Sequence, residues 1–466
     1  MPRSARHPTR RVHRPRLPPA LRHVHLNAAG IDVGAGSHHV AVPPGRDPEG
    51  REVREFGAFT ADLYALAAWL RRCGIETVAM EATGVYWIPL FELLAARGFE
   101  VRLVDPRQLK HVPGRKSDVL DCQWIQQLHT FGLLAAAFRP DDEICVLRSY
   151  LRQRAMLVAY AAHHIQHVQK ALEQMNVKLT RVVSDVTGVT GMRIIRAILD
   201  GERTPHALAQ LRDRRCQHDE ETIARSLEGT WRPEHLFALR QVVELLDFYQ
   251  QQIVACDREI EAYLGRFDDK TEGHTLPATP RTRKPSRTAP TFDVRTHLYR
   301  LTGVDLTRID GIDAPTALKV VAETGLDMSR WPSEKHFASW LTLAPGTKVS
   351  GGKTLSGRTK PSASRAAAAL RLAAHSLHHS KSALGAFFRR LKVRLGAPKA
   401  ITATAHKLAR LIYRMLKCGT EYVDQGQESY ERRYRTRVLS TLTRRAQALG
   451  YTLIKTPAPS PAPSEG

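Results

Sequence analysis

Between Lys335 and Thr420 the chain has no aspartate and no glutamate, yet it carries seventeen lysines and arginines. A solvated helix face mixes charges of both signs, so a one-signed run of this length argues for phosphates lying against it. Acid is also missing from residues 1–24, where seven arginines, five prolines and three histidines occur. Such a segment cannot offset its ordering entropy by burial, and disorder is expected there. The six cysteines form no CxxC pair, which argues against zinc fingers and a disulfide scaffold and for a reducing, cytoplasmic setting. No apolar run approaches the roughly 20 residues of a membrane span, and no apolar stretch follows the basic start as in a secretory signal. Also missing are a helix-turn-helix signature, a finger and an aromatic RNP pattern, so no module that reads base edges is visible.

What is present is length and charge. The chain has 466 residues and a formal net charge of +24, with 42% hydrophobic residues. That is enough chain for more than one domain and enough apolar content for a core. The charge implies a polyanionic partner, nucleic acid before an anionic membrane surface.

Four carboxylates organise the first part. Residues 28 to about 140 read as three strands (Ile31–Val33, His39–Val42, Val53–Phe59), then helix 61–72, strand 76–82, helix 86–97, strand 101–105 and a further helix. This is the order of an RNase H-like domain. Asp32 stands in Gly30-Ile-Asp-Val-Gly34 on the first strand, and Glu81 at the end of the fourth. Asp118 and Asp121 open the last helix behind Ser117, a good N-cap, and their spacing of three puts both on one face. First-turn acids also favour the positive helix end, so the pair alone decides nothing. Four acids converging in one pocket require divalent cations, and hard oxygen ligands select Mg²⁺ or Mn²⁺. Two such ions stabilise both oxygens of a phosphoryl displacement. The Gly30–Gly34 stretch also resembles the first phosphate loop of actin-like sugar kinases, but no second Gly-rich loop or adenosine motif follows.

Two heptad-patterned helices come next, 146–176 and 233–265, with Arg154 as the one polar break in the first seam. They pack on each other or on a second protomer; spacing does not decide. His163, His164 and His167 on the first read as surface histidines before metal ligands. Residues 268–292 are rich in Pro, Thr and Arg and read as a flexible basic linker. Beyond it, Ile309-Asp-Gly-Ile-Asp313 reads as the tight turn of a helix-hairpin-helix, a device that offers backbone amides to a DNA phosphate. Lys348 to Lys360 reads as a Gly/Ser/basic loop before a helix at 362–379. It is not a Walker loop, because it lacks that motif's spacing and preceding strand.

Taken together, Gly-Ile-Asp32-Val-Gly, Met-Glu81-Ala-Thr-Gly-Val-Tyr-Trp, Arg-Lys-Ser-Asp118-Val-Leu-Asp121 and Leu-Ala-Pro-Gly-Thr-Lys-Val-Ser350-Gly-Gly-Lys resemble the DEDD-type insertion-sequence transposases of the bridge-RNA-guided recombinase family. The resemblance runs in order from about residue 28 to 430. It implies an α/β RNase H-like domain (28–145), an α-helical coiled-coil middle (146–267) and a mainly α transposase domain (293–430), in which the turn above adds a helix-hairpin-helix-like element; the disordered basic arm (1–27) and the flexible linker (268–292) are expected from composition and lie outside the resemblance. A C-terminal helix and disordered tail (431–466) complete the chain. It further implies a metal-binding tetrad of Asp32, Glu81, Asp118 and Asp121, and a nucleophilic Ser350 that bonds covalently to a DNA phosphate. Lys348, Lys353, Arg358, Lys360 and Arg365 are the expected nucleic-acid contacts. Expected partners are DNA, a structured non-coding guide RNA and further copies of the chain, as a dimer or a tetramer in the synapse. The residues alone do not separate Ser350 from Ser356 in the same loop. A hydrolytic junction resolvase and a non-catalytic nucleic-acid-binding protein are the alternatives. One departure from the family pattern is Asp310, where a proline usually precedes the hairpin glycine.

Overall fold

The computed structural model describes residues 24–82, 84–109, 118–278 and 286–454. Two compact units divide the chain, residues 1–139 and 140–466.

The first unit is built on β1 (Ala28–Val33), β2 (Ser37–Ala41), β3 (Val53–Gly57), β4 (Thr77–Glu81) and β5 (Glu100–Val104), with α1 (Thr60–Arg72), α2 (Trp87–Ala96), the single turn α3 (Pro106–Leu109) and α4 (Asp118–Thr130). The sheet order is β3-β2-β1-β4-β5. β1, β2 and β3 pair antiparallel, whereas β4 and β5 run parallel to β1. Successive side chains on a strand point to opposite faces. One face of the central strands, with Ile31, Val33, Val78 and Met80, packs with Leu66, Trp69 and Leu70 of α1 and Leu90 and Leu94 of α2. The other face, with Ala79 and Val104, takes Ile125 and Leu128 of α4. Asp32 and Glu81 fall on this second face by alternation. At the chain start, the Val24 and His25 amides donate to the Thr130 carbonyl at the end of α4, at 2.8 and 3.0 Å.

The second unit is helical. α5 (Asp142–Gln174) and α10 (Pro233–Leu264) are its long members, with α6 (Leu179–Val182), α7 (Val189–Leu199), α8 (Pro205–Ala209) and α9 (Glu220–Ser226) between them. Tyr150 meets Tyr263 and Tyr160 meets Tyr249, so the two long helices run antiparallel and pack on each other within the chain. The polar break in the seam has a partner: Arg154 Nε donates to Asp257 Oδ1 at 2.5 Å, and both residues are buried. Arg154 Nη1 also donates to the Thr288 carbonyl at 3.0 Å, and the Thr291 amide donates to Asp257 Oδ2 at 3.1 Å. The segment expected to be a flexible linker is therefore tied down at its described ends. Arg287 bonds Asp185 at 2.7 Å, and Arg295 reaches back to the Pro277 carbonyl at 2.7 Å.

After it come α11 (Val294–Thr302), α12 (Ala314–Thr324), α13 (Glu334–Trp340), the hairpin β6 (Lys348–Ser350) and β7 (Lys353–Ser356), α14 (Arg365–Ser376), α15 (Ala383–Leu395), α16 (Ala397–Cys418) and α17 (Gly426–Ala448). The turn at Asp310–Gly311 faces inward. Gly311 has φ +87°, and a Cβ there would meet the Ala373 carbonyl of α14 at 2.9 Å. Buried Asp310 accepts the Ser380 hydroxyl, which gives the acid a partner inside the fold. The acid-free run is also partly committed inside its own unit. Arg410 and Arg414 both pair with Glu334, one residue before the run begins. Arg389 donates to Gln427 at 2.7 Å. Not all seventeen cations are thus available to phosphates. No described helix is long and apolar enough to cross a membrane.

Candidate functional site

The acidic site starts from a glycine. Gly30 lies on β1 where a Cβ would sit 2.2 Å from the Gln126 amide nitrogen and 2.4 Å from the Cys122 carbonyl oxygen of α4. Only a residue without a side chain lets the helix backbone lie directly on the strand. This close approach places the first turn of α4, with Asp118 and Asp121, over the strand that carries Asp32. In the parallel β1–β4 register the last pair is Ile31 with Met80, so Asp32 and Glu81 follow side by side at the C-terminal strand ends. The Gly30–Gly34 stretch is thus a helix-packing site and a hairpin turn, where the Gly34 amide donates to the Ser37 carbonyl at 3.0 Å.

The electrostatics at Asp32 register the other three acids. The Asp32 carboxyl is pushed up from 3.8 to about 6, first by burial and then by Glu81, Asp121 and Asp118. Burial and like charge both disfavour the ionised form. Opposing them is His39, opposite Asp32 in the β1–β2 register. Sequence reading had assigned His39 no role beyond its strand; only the cross-strand register gives it away. Cys122, buried beneath the acids, has its thiol pushed up to about 12 by burial and then by Asp32, so it stays protonated and unreactive.

Among the described residues, no three His, Cys, Asp or Glu side chains stand close enough to hold one ion. The four acids are all carboxylates, the donor type that a hard divalent cation takes, and a cation nearby would relieve the crowding that raises the proton affinity of Asp32. Arg115, Lys116, Ser117 and Thr83 lie outside the described residues.

The second cluster belongs to the other unit. Lys348 to Lys360 is not a plain loop: Lys348–Ser350 and Lys353–Ser356 pair antiparallel, with Ser350 opposite Lys353. Gly351 (φ +55°) and Gly352 (φ +75°) supply the two positive-φ positions of a two-residue hairpin turn. The Gly-Gly pair between alternating residues was the signal for it. Ser350 is exposed at the tip, beside the exposed Lys353. Ser356 is half-buried, and its hydroxyl accepts the Arg358 amide at 3.3 Å. Arg365 opens α14 behind Ser364, whose hydroxyl accepts the Ala367 amide at 3.2 Å. Lys348, Lys353, Arg358, Lys360 and Arg365 are exposed, and none of them forms an ion pair among the described residues.

An acid-lined α/β unit followed by a helical unit with a basic, serine-tipped hairpin describes a protein that acts on DNA. Residues 29–177 match a DEDD transposase family model, described as transposase, and residues 305–389 match a model described as transposase IS116/IS110/IS902 family. The chain belongs to the IS110-type DEDD transposases. The family implies an RNase H-like fold for the first unit, and the mixed sheet is consistent with it. No curated protein matches the chain.

Proposed function

We propose that this transposase excises and inserts its element by exchanging phosphoester bonds through Ser350. The observation that carries the reading is the exposed Ser350 beside a two-glycine turn, between Lys348 and Lys353, in a chain whose Asp32 feels three further carboxylates. The Ser350 hydroxyl attacks a DNA phosphorus. A serine–phosphorus ester forms, the bond from phosphorus to one sugar oxygen breaks, and the proton lost by serine is balanced by the one gained by the freed sugar hydroxyl. A hydroxyl of the second strand reverses the step, so rejoining needs no external energy source. An unassisted serine is a poor nucleophile, and the neighbouring cations favour the extra phosphate charge.

Asp32, Glu81, Asp118 and Asp121 would hold Mg²⁺ or Mn²⁺, which supplies charge stabilisation at a reacting phosphate. Lys348, Lys353, Arg358, Lys360 and Arg365 grip the backbone. Sequence choice is assigned to a base-pairing RNA, because the chain offers phosphate-binding surface but no base-reading module. The antiparallel α5–α10 pair acts as a coiled coil, and its exposed Tyr160, Leu245 and Phe248 would meet a second protomer.

The test is a covalent adduct. Protein incubated with element-end DNA, its RNA and Mg²⁺ is expected to yield a denaturation-stable protein–DNA species that Ser350→Ala abolishes. Free nicked ends without an adduct would establish the hydrolase instead.

A further inference from the structure

Helix α17 is unusual in burying none of its residues. From Arg432 to Ile454 it and the residues after it contain six arginines and no acid. Arg433 and Arg437 stand four apart, and Arg444 continues the same stripe two turns further on. Like charges at that spacing destabilise an isolated helix, and α17 meets α15 through half-buried rather than buried residues, with Tyr430 edge-on to Phe387.

The stripe continues onto α15. Arg390 lies over Tyr434 at 3.7 Å and over Tyr430 at 4.7 Å, which fixes its guanidinium between the two helices. Lys407 of α16 lies over Phe387 at 4.6 Å. The cations crowd one another. The Arg390 guanidinium is held below its ordinary range by burial and by Arg394 and Arg437, although Tyr434 opposes this. Lys407 is lowered by burial and by Arg390, Arg410 and Arg433, against a single acid, Asp424. Every residue of this cluster from Arg390 onward lies beyond residue 389, where the family match ends. Arg433, Arg437 and Arg444 make no ion pair among the described residues.

We infer that the α15–α17 face is a second nucleic-acid surface, which holds a phosphodiester backbone through Arg433, Arg437 and Arg444 with Arg390 locked beneath them. A row of cations that repel one another and bury nothing is the arrangement a polyanion completes. The tyrosine rings are occupied by Arg390, so the surface grips phosphates and does not stack bases. Binding is independent of sequence. The inference rests on the reading of the chain as a protein that acts on DNA, and it adds a contact area outside the matched segments.

The experiment uses full-length protein freed of nucleic acid at high salt. Labelled random-sequence DNA and RNA duplexes of equal length are titrated by fluorescence anisotropy across a NaCl series. Arg433→Gln, Arg437→Gln and Arg444→Gln combined should lower the slope of log affinity against log salt on DNA by about 2.7, at about 0.9 per phosphate contact. The matching Arg→Lys triple should keep the slope. A drop on DNA alone, or on RNA alone, identifies which backbone is held, and either supports the surface. An unchanged slope on both duplexes overturns it. If the triple variant loses its folded circular dichroism, Arg437→Gln alone is read for a drop of about 0.9 by the same criterion. Ser350→Ala should leave the slope unchanged, so the adduct assay judges strand exchange separately from this surface.

Discussion

Asp32 is a carboxyl whose neighbours make its charge costly. Its folded pKa of about 6 lies above the ordinary 3.8, so its contribution to stability is full below about 3.8 and is lost as pH rises through 6. At pH 7.5 the metal-free protein therefore carries an unfavourable half-buried charge. Asp32→Asn should raise the metal-free melting temperature at that pH, with little change at pH 4. The same variant should lose both the Mn²⁺-induced rise in melting temperature and DNA strand cleavage. A metal response equal to that of the unaltered chain would remove Asp32 from the ligand set. At Ser350 the comparison is with its neighbour: Ser356→Ala should retain the covalent adduct, because that hydroxyl serves the Arg358 amide. An adduct lost with Ser356→Ala and kept with Ser350→Ala would exchange their roles.

The contact of α4 with β1 depends on Gly30. Gly30→Ala would bring its Cβ within 2.2 Å of backbone nitrogen, a clash with atoms that cannot rotate away. Overpacking of this kind costs about 1–3 kcal/mol, and the shift it forces moves Asp118 and Asp121 away from Asp32. We expect a lower urea midpoint and a drop in activity larger than the stability loss explains. The long helices present a different case. Arg154→Leu would leave buried Asp257 accepting only from the Thr291 amide and hydroxyl among the described residues. Removing one member of a buried ion pair costs about 3–5 kcal/mol. Chemical denaturation should show that loss, together with faster proteolysis near Thr288, whose carbonyl Arg154 also holds.

The molecule as a whole carries a formal charge of +24, so nucleic-acid binding should weaken steeply with salt. Acid should unfold it for a separate reason. His129 is buried against Thr77, with its pKa lowered from 6.5 to about 4 by burial first and then by His25 and Arg102. A base with a depressed folded pKa stabilises fully above 6.5 and loses that contribution as pH falls towards 4. His129→Gln should flatten the decline in melting temperature between pH 6.5 and 4. An equally steep decline in that variant would place the acid sensitivity elsewhere.

Periodicity alone determined most elements of this protein, though not the β6–β7 hairpin. Ile31 and Val33 marked the strand that carries Asp32, a buried apolar run marked the one that carries Glu81, and the three-residue spacing put Asp118 and Asp121 on one helical face. The heptad seam gave α5 and α10 to within a few residues. Composition alone determined the polyanionic partner. These signals are local, because each comes from the repeat of a single strand or helix. Relations between distant residues were decided by tertiary structure. Nothing near Gly30 in sequence announces the helix backbone 92 to 96 residues later that presses on it. Arg154 looked like a flaw in its seam until Asp257, 103 residues away, was seen to satisfy it. The acid-free run looked uniformly free for phosphates, but Glu334 takes two of its arginines, while the arginines of α17, outside that run, form no ion pair among the described residues. Charge can be counted along a chain, but which charges neutralise one another depends on the register and packing that bring elements together.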